Sequence, residues 1–172
     1  MPGARKTCII LRLLLAACSL QLVACDTIDL YEKIVSIPKH EWKSSYKPQF
    51  KFTIKDSNAN YQMYVILRHN EKYNYNNIWL NLTAQAPASV PKKFMPELPL
   101  ATTAKGWLGS AMDDLWEHRI AITLDTALFN FKKPGEYIFT LEQVMREDPL
   151  ENVLNVGLRI EKAGPGAEKQ TP

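Results

Sequence analysis

Apolar and polar side chains alternate with a period of two along most of the chain, the pattern typical of β-strands. In the segment FKFTIK, the apolar residues Phe50, Phe52 and Ile54 are separated by polar ones. The run from 61 to 69 is apolar on both faces, which predicts a central strand. Further alternating runs cover residues 78–84, 118–124, 136–144 and 155–162.

These runs, with turn residues between them and almost no helical periodicity, predict an all-β fold: a single-domain antiparallel β-sandwich, jelly-roll-like. The polar stretch 56–60 and the pair Pro134-Gly135 are turn signals. The proline-rich segment 86–100 cannot form a central strand, because proline donates no hydrogen bond to a sheet. It is expected to be an extended connection or an edge.

The N-terminus has the composition of an export signal, with Arg5 and Lys6 before an interrupted apolar run from 8 to 24. The run ends in LVAC, which looks like a lipobox that places lipid on Cys25. A second match, LAAC ending at Cys18, would leave only a short apolar region, so Cys25 is preferred. The alternative is an ordinary secreted protein with buried cysteines. A signal peptide of residues 1–24 is therefore predicted.

Removal of residues 1–24 changes the charge and the cysteine chemistry of the chain. It takes three basic residues and no acidic one from the 172-residue chain, which leaves 148 residues with 18 basic and 18 acidic side chains. A neutral domain gives no electrostatic case for nucleic acid, and its sequence does not support polybasic attraction to a membrane. Attachment would rest on a diacylglycerol and an N-acyl chain on Cys25.

The domain is predicted to span residues 25–162, followed by a disordered tail at 163–172 rich in Gly, Pro and polar residues. Its three histidines, His40, His69 and His118, lack metal-binding spacing, and there is no phosphate loop or serine-nucleophile motif. No enzyme activity, metal or other cofactor is therefore expected. The acidic pairs 113–114 and 147–148 lack the spacing of a calcium loop and are expected to be solvated turns.

Aromatic side chains occur at predicted loops, at Tyr73, Tyr75, Trp107 and Trp116. Exposed rings could stack on sugars, which makes a surface carbohydrate-binding lipoprotein the alternative function. The other interpretation is that the rings cap the ends of the sandwich core.

The segment MREDPL, residues 145–150, links the last two predicted strands. Arg146, Glu147 and Asp148 are candidate binding residues, because loops on a rigid sandwich often carry binding sites. The structural alternative is a turn fixed by Pro149 that returns Leu150 to the core.

The order of several segments resembles the GldH family of gliding-motility lipoproteins from Bacteroidetes-type bacteria. These segments are the lipobox followed by Asp26, an early YEK, Trp42, LRHNEKYNYNNIWLNL, GWLGSAMDD and GEYIFTLEQVMREDPLENVLNVGLRIEK. The match runs from Cys25 to Lys162, and its last segment is the most specific.

The resemblance implies a cell-envelope lipoprotein associated with gliding motility and with the type IX secretion machinery, and it implies no enzymatic activity. The implied partners are envelope proteins of that apparatus. The protein itself would be attached to the membrane through the lipid on Cys25. The outer membrane is favoured over the inner. Asp26 is ambiguous as a sorting signal, because the rule that an aspartate after the lipidated cysteine causes retention comes from other bacteria.

Overall fold

The computed structural model describes residues 31–122 and 131–163. This part of the chain contains no α-helix and one short 3-10 turn at Pro38–His40. Its strands are β1 (Tyr31–Ser36), β2 (Glu41–Trp42), β3 (Gln49–Ile54), β4 (Tyr61–Asn70), β5 (Asn77–Gln85), β6 (Lys92–Phe94), β7 (Glu97–Pro99), β8 (Ala101–Thr102), β9 (Gly106–Trp107), β10 (Ser110–Met112), β11 (Leu115–Ala121), β12 (Gly135–Gln143), β13 (Leu150–Glu151) and β14 (Val153–Lys162).

Two antiparallel sheets enclose one hydrophobic core, which confirms the predicted β-sandwich. One sheet has the strand order β1-β14-β4-β11-β10, and the other has the order β3-β12-β5-β6, with β7 also paired to β5. The inward-facing side chains of both sheets form a single buried cluster that includes Phe50, Leu67, Leu82, Phe139 and Leu158. Burial of such side chains supplies the main driving force for the fold.

The strand predicted to be central, β4, lies between β14 and β11. Its apolar residues on both faces are explained by that position. Met63, Val65 and Leu67 point into the core, whereas Ile66 is buried on the outer face beside Gly157, its partner in β14.

Two details differ from the sequence interpretation. The run predicted at 118–124 begins earlier, because β11 starts at Leu115 and already includes Trp116. The chain also forms an edge strand at β1, which pairs with β14 over six residues. The proline-rich segment lies at the edge of the second sheet, where β6 and β7 pair with β5, as predicted.

The antiparallel arrangement gives the sandwich two opposite ends. We call the entry end the one at which β1 begins at Tyr31, where β3 ends at Ile54 and β12 begins at Gly135. We call the far end the one at which β4 ends at Asn70 and β12 ends at Gln143. Side chains of functional interest lie at both ends.

The predicted signal peptide and Cys25 lie outside the described residues. Ala163, at the start of the predicted tail, donates its backbone N–H to the carbonyl of Asn60 at 2.7 Å, and residues 164–172 lie outside the described part. Within residues 31–122 and 131–163, no helix has the length and apolar character needed to cross a membrane.

Candidate functional site

A pair of buried histidines lies beneath the surface of the far end. His69, near the end of β4, and His118, in β11, both point into the sandwich and are 0% and 2% exposed. Their Nε2 atoms are 2.9 Å apart, and their rings stack with centroids separated by 4.9 Å. The pairing of β4 with β11, which sets Trp116 opposite His69, brings the two imidazoles together.

The hydrogen bonds define the protonation of this pair. His69 Nδ1 lies 2.8 Å from the carbonyl oxygen of Asn70, so Nδ1 carries a proton and donates it. His69 Nε2 then accepts a hydrogen bond from the Nε2–H of His118. Burial, together with the neighbouring His69, lowers the pKa of His118 to about 4, and burial also lowers the pKa of His69. Both rings are neutral at physiological pH.

Trp107 covers the histidine pair, and Trp116 packs against Trp107. The Trp107 ring lies 4.4 Å from the His69 ring and 6.4 Å from the Trp116 ring, measured between centroids. Tyr73 lies 4.9 Å from His69, and its buried side chain donates to the carbonyl of Asn77 at 3.0 Å. These rings close the far end of the core. Capping of the core was one of the two interpretations of these aromatic residues in the sequence.

Gly109, between β9 and β10, explains how this segment comes so close to β11. A Cβ atom at this position would collide with the backbone carbonyl oxygen of Glu117 and would lie 3.0 Å from Cε1 of His118. Only a residue without a side chain lets the backbone pass directly over the His118 ring. Trp107, two residues earlier, is thereby held against the pair.

An exposed apolar rim adjoins this aromatic cap. Leu108 is 44% exposed and Met112 is 49% exposed, and both belong to the segment that carries Trp107. Among the aromatic residues of the described part of the chain, Tyr46 alone is classed as exposed, whereas Trp107 and Trp116 are half-buried. The far end therefore presents flexible aliphatic side chains beside partly covered rings, not an open row of rings.

Segment 145–150 is held to the core by hydrogen bonds from a buried side chain. Gln143, which is fully buried, donates through Nε2 to the carbonyls of Trp42 and Glu147, both at 3.2 Å. Its Oε1 accepts the Met145 N–H at 2.8 Å. Leu150 is fully buried and pairs with Trp42 between strands β13 and β2, so the predicted return to the core is confirmed.

The three charged residues of this segment are exposed but have different surroundings. Asp148 accepts hydrogen bonds from Ser44, with its backbone N–H at 2.9 Å and its hydroxyl at 2.5 Å. These bonds lower the pKa of Asp148 and assign it to holding the loop. Glu147 accepts a hydrogen bond from the Tyr75 hydroxyl, which raises the pKa of Tyr75, and the positive charge of Arg146 acts on the same hydroxyl.

The structure thus links four of the five predicted binding residues through a chain of aromatic rings, formed by Tyr75 and the buried Tyr73. The Tyr75 ring lies 5.8 Å from that of Tyr73, which in turn lies 6.4 Å from that of Trp107. We call the far-end surface the set formed by Trp107, Leu108, Met112, Trp116, Tyr75, Arg146 and Glu147. Asp148 lies beside this surface but is directed to Ser44.

Sequence reasoning did not find the histidine pair, because the two residues are 49 positions apart and share no spacing motif. The sequence did contain one signal. Each histidine lies at an inward-facing position of an alternating strand, two residues from Leu67 and from Ile120 respectively. The 2.9 Å between the two Nε2 atoms is a hydrogen-bond distance, in which one proton lies between the rings. No group of three or more potential metal ligands occurs within the described residues.

Comparison with known proteins identifies relatives over most of the chain. Residues 29–160 match the family model described as GldH lipoprotein. A protein of Christiangramia forsetii named gliding motility lipoprotein GldH homolog is 26% identical over 147 residues, covering 81% of this chain and 88% of the relative. The gliding motility lipoprotein GldH of Flavobacterium johnsoniae is 27% identical over 157 residues, covering 87% of this chain and 94% of the relative.

Solved structures align with this chain only at low sequence identity. A carbohydrate-binding module specific for non-crystalline cellulose aligns with 76% of this chain and 70% of its own, at 9% identity and a TM-score of 0.41. A structure of infectious bursal disease virus aligns with 82% of this chain and 32% of its own, at 11% identity and a TM-score of 0.32.

Proposed function

The chain belongs to the GldH lipoprotein family, and we propose that it is a lipid-anchored accessory protein of gliding motility and type IX secretion that binds other envelope proteins. The relatives' names supply the link to gliding motility. The finer parts of the proposal are lipid on Cys25, attachment preferentially to the outer membrane, and action through binding instead of catalysis.

The observation that carries the binding role is the composition of the far-end surface. Exposed Leu108 and Met112 lie beside half-buried tryptophans, and the rings of Tyr73 and Tyr75 link Trp107 to the charged pair Arg146 and Glu147. An apolar centre with aromatic and arginine side chains at its border is the composition enriched in protein–protein interfaces.

The backbone of this surface is fixed before a partner arrives. The three hydrogen bonds of Gln143 and the two of Ser44 hold segment 145–150 in one conformation. A pre-organised loop loses little conformational entropy on binding, which favours affinity. Arg146 and Glu147 can therefore contribute to recognition without contributing much to folding.

The test is affinity purification of the full-length protein from its own cells, with mass spectrometry of the bound proteins and of the protein's N-terminal peptide. We expect lipid on Cys25 and co-purification of motility or secretion components. Arg146→Ala with Glu147→Ala should reduce that co-purification while the melting temperature stays unchanged. Parallel loss of binding and melting temperature would instead assign the segment a purely architectural role.

A matched control removes similar charges elsewhere on the surface. Lys51 and Glu136 are exposed on the second sheet, away from the far end, and their joint replacement by alanine should leave co-purification intact. Retention on a polysaccharide column that is lost in a Trp116→Ala variant, with no envelope protein bound, would replace the proposal by glycan binding.

A further inference from the structure

The entry end carries a group of lysines that the net charge of the chain conceals. Lys55, Lys92, Lys132 and Lys133 are all exposed there, at the end of β3, the start of β6 and the approach to β12. The acidic residues of this end are fewer. Asp56 is paired with Lys162 at 3.0 Å, Glu32 and Glu161 are both paired with Arg159, and Glu136 is exposed at the second position of β12.

The far end has the opposite balance. Its exposed acidic residues include Glu71, Glu97, Asp113, Asp114, Glu147, Asp148 and Glu151. Four lysines, Lys39, Lys43, Lys72 and Lys105, are also exposed at that end, so acidic side chains outnumber them there. A domain with equal numbers of acidic and basic side chains is therefore electrically polar from one end to the other, and its potential at the entry end is positive.

Exposed apolar surface lies among the basic residues of the entry end. Val90 is 83% exposed, the highest value for any large hydrophobic side chain in the described part of the chain. It borders an open groove of about 220 Å³ whose floor includes Phe131, Tyr137 and Phe139, with Lys92, Lys132 and Lys133 along the same groove. Apolar side chains surrounded by lysines match the layering of a membrane surface, where charged headgroups lie above hydrocarbon.

The position of this end follows from the length of the tether. Six residue steps separate Cys25 from Tyr31, and a fully extended chain of that length spans about 20 Å. Tyr31 begins β1 at the entry end, so lipid on Cys25 would hold this end close to the bilayer. The 10-residue strand β4 separates the two ends by about 33 Å, which would leave the far-end surface directed away from the membrane.

We propose that the entry end is a second membrane contact, in which Lys55, Lys92, Lys132 and Lys133 bind the anionic headgroups of the membrane that holds the anchor, and Val90 enters the headgroup layer. This inference rests on the lipid anchor of the proposed function. Its consequence is orientation, because a lipid anchor alone leaves the orientation of a domain free, whereas an anchor and a basic surface together fix which end faces outward.

The experiment uses the lipidated holoprotein, purified from its own cells and reconstituted into vesicles of phosphatidylglycerol and phosphatidylethanolamine. A fluorophore sensitive to polarity is attached to Val90→Cys or, as the matched control, to Met112→Cys at the far end. Each label is unique in the lipidated protein. Cys8 and Cys18 are removed with the signal peptide of residues 1–24, and the thiol of Cys25 carries the lipid. Mass spectrometry of the N-terminal peptide establishes the lipid in every preparation.

We expect the label at position 90 to show blue-shifted emission and quenching by brominated lipid, and the label at position 112 to behave as in water. Replacing Lys55, Lys92, Lys132 and Lys133 by glutamine should reduce the quenching several-fold, as should vesicles of phosphatidylcholine alone. The same exchange at Lys39, Lys43, Lys72 and Lys105, which are exposed at the far end, should leave it unchanged.

Each adverse result has a distinct meaning. A lipidated protein with both labels in water overturns the membrane contact and leaves the anchor intact. Quenching that is equal in both lysine variants and in both kinds of vesicle overturns the role of the lysines. An unmodified Cys25 overturns the anchor and this inference together.

Discussion

The Nε2 atoms of His69 and His118 lie 2.9 Å apart, in a hydrogen bond between imidazoles from neighbouring strands. Tyr73 and Trp107 cover the pair, and the nearby charged residues Arg68 and Glu117 face outward, where they form an ion pair at 2.6 Å. Because both imidazoles are buried and neutral, their protonation at low pH should destabilise the folded state at the far end.

The first prediction concerns the pH dependence of folding. The pKa of His118 is about 4 in the folded state, against about 6.5 when unfolded, so the unfolded chain binds more protons between these values. Stability should therefore fall as pH decreases from 6.5 to 4, by about 3 kcal/mol from this residue. Urea unfolding at a series of pH values measures the slope.

Two variants test whether His118 causes this change of stability with pH. His118→Gln should flatten it, whereas His40→Asn should not, because His40 is exposed and its positive φ of 60° suits asparagine. Equal slopes in the parent and His118→Gln would remove the pair as the cause.

The second prediction concerns Gly109. Its replacement by alanine should lower stability by about 1–3 kcal/mol, because the new methyl group meets the Glu117 carbonyl and the β9–β10 segment has to move. Tryptophan fluorescence should change together with the melting temperature as Trp107 shifts. The comparison is Gly106→Asn: its φ of +67° is compatible with asparagine and no atom lies within 4 Å of the added Cβ, so a smaller effect is expected.

The third prediction concerns the hydrogen bonds that support segment 145–150. Gln143→Leu should cost about 2–4 kcal/mol, because it leaves the Met145 N–H and the carbonyls of Trp42 and Glu147 without their buried partner. Chemical denaturation measures the loss. Gln85→Leu, at an exposed position of β5, serves as the control and should change stability little.

The fourth prediction concerns β1, the edge strand of the first sheet. A methyl group at Gly157 would lie 2.8 Å from the Lys33 carbonyl and 2.9 Å from Cγ1 of Ile34, so Gly157→Ala should push β1 away from β14. Hydrogen exchange of the β1 amides should accelerate, with little change in β12 of the other sheet. Uniform acceleration across both sheets would indicate global destabilisation and contradict the local effect.

Much of the fold follows from local pattern. Alternation in residues 50–54 or 61–69 predicts a strand and its inward face, because successive side chains of a strand point to opposite sides. Proline positions place segment 86–100 at an edge for an equally local reason. The resemblance that identifies the family likewise depends on the order of residues along the chain.

Tertiary structure decided everything that depends on pairing between distant strands. The register of β4 and β11 brings together His69 and His118, which no sequence spacing joins. The close approach of the segment after β9 to β11 gathers Trp107 and Trp116 into one cap. Antiparallel packing likewise brings Lys55, Lys92, Lys132 and Lys133 to the entry end, although they are distant in the sequence. Strand alternation is fixed residue by residue, whereas register and end-to-end placement come from minimising the free energy of the whole chain, so only the folded structure shows them.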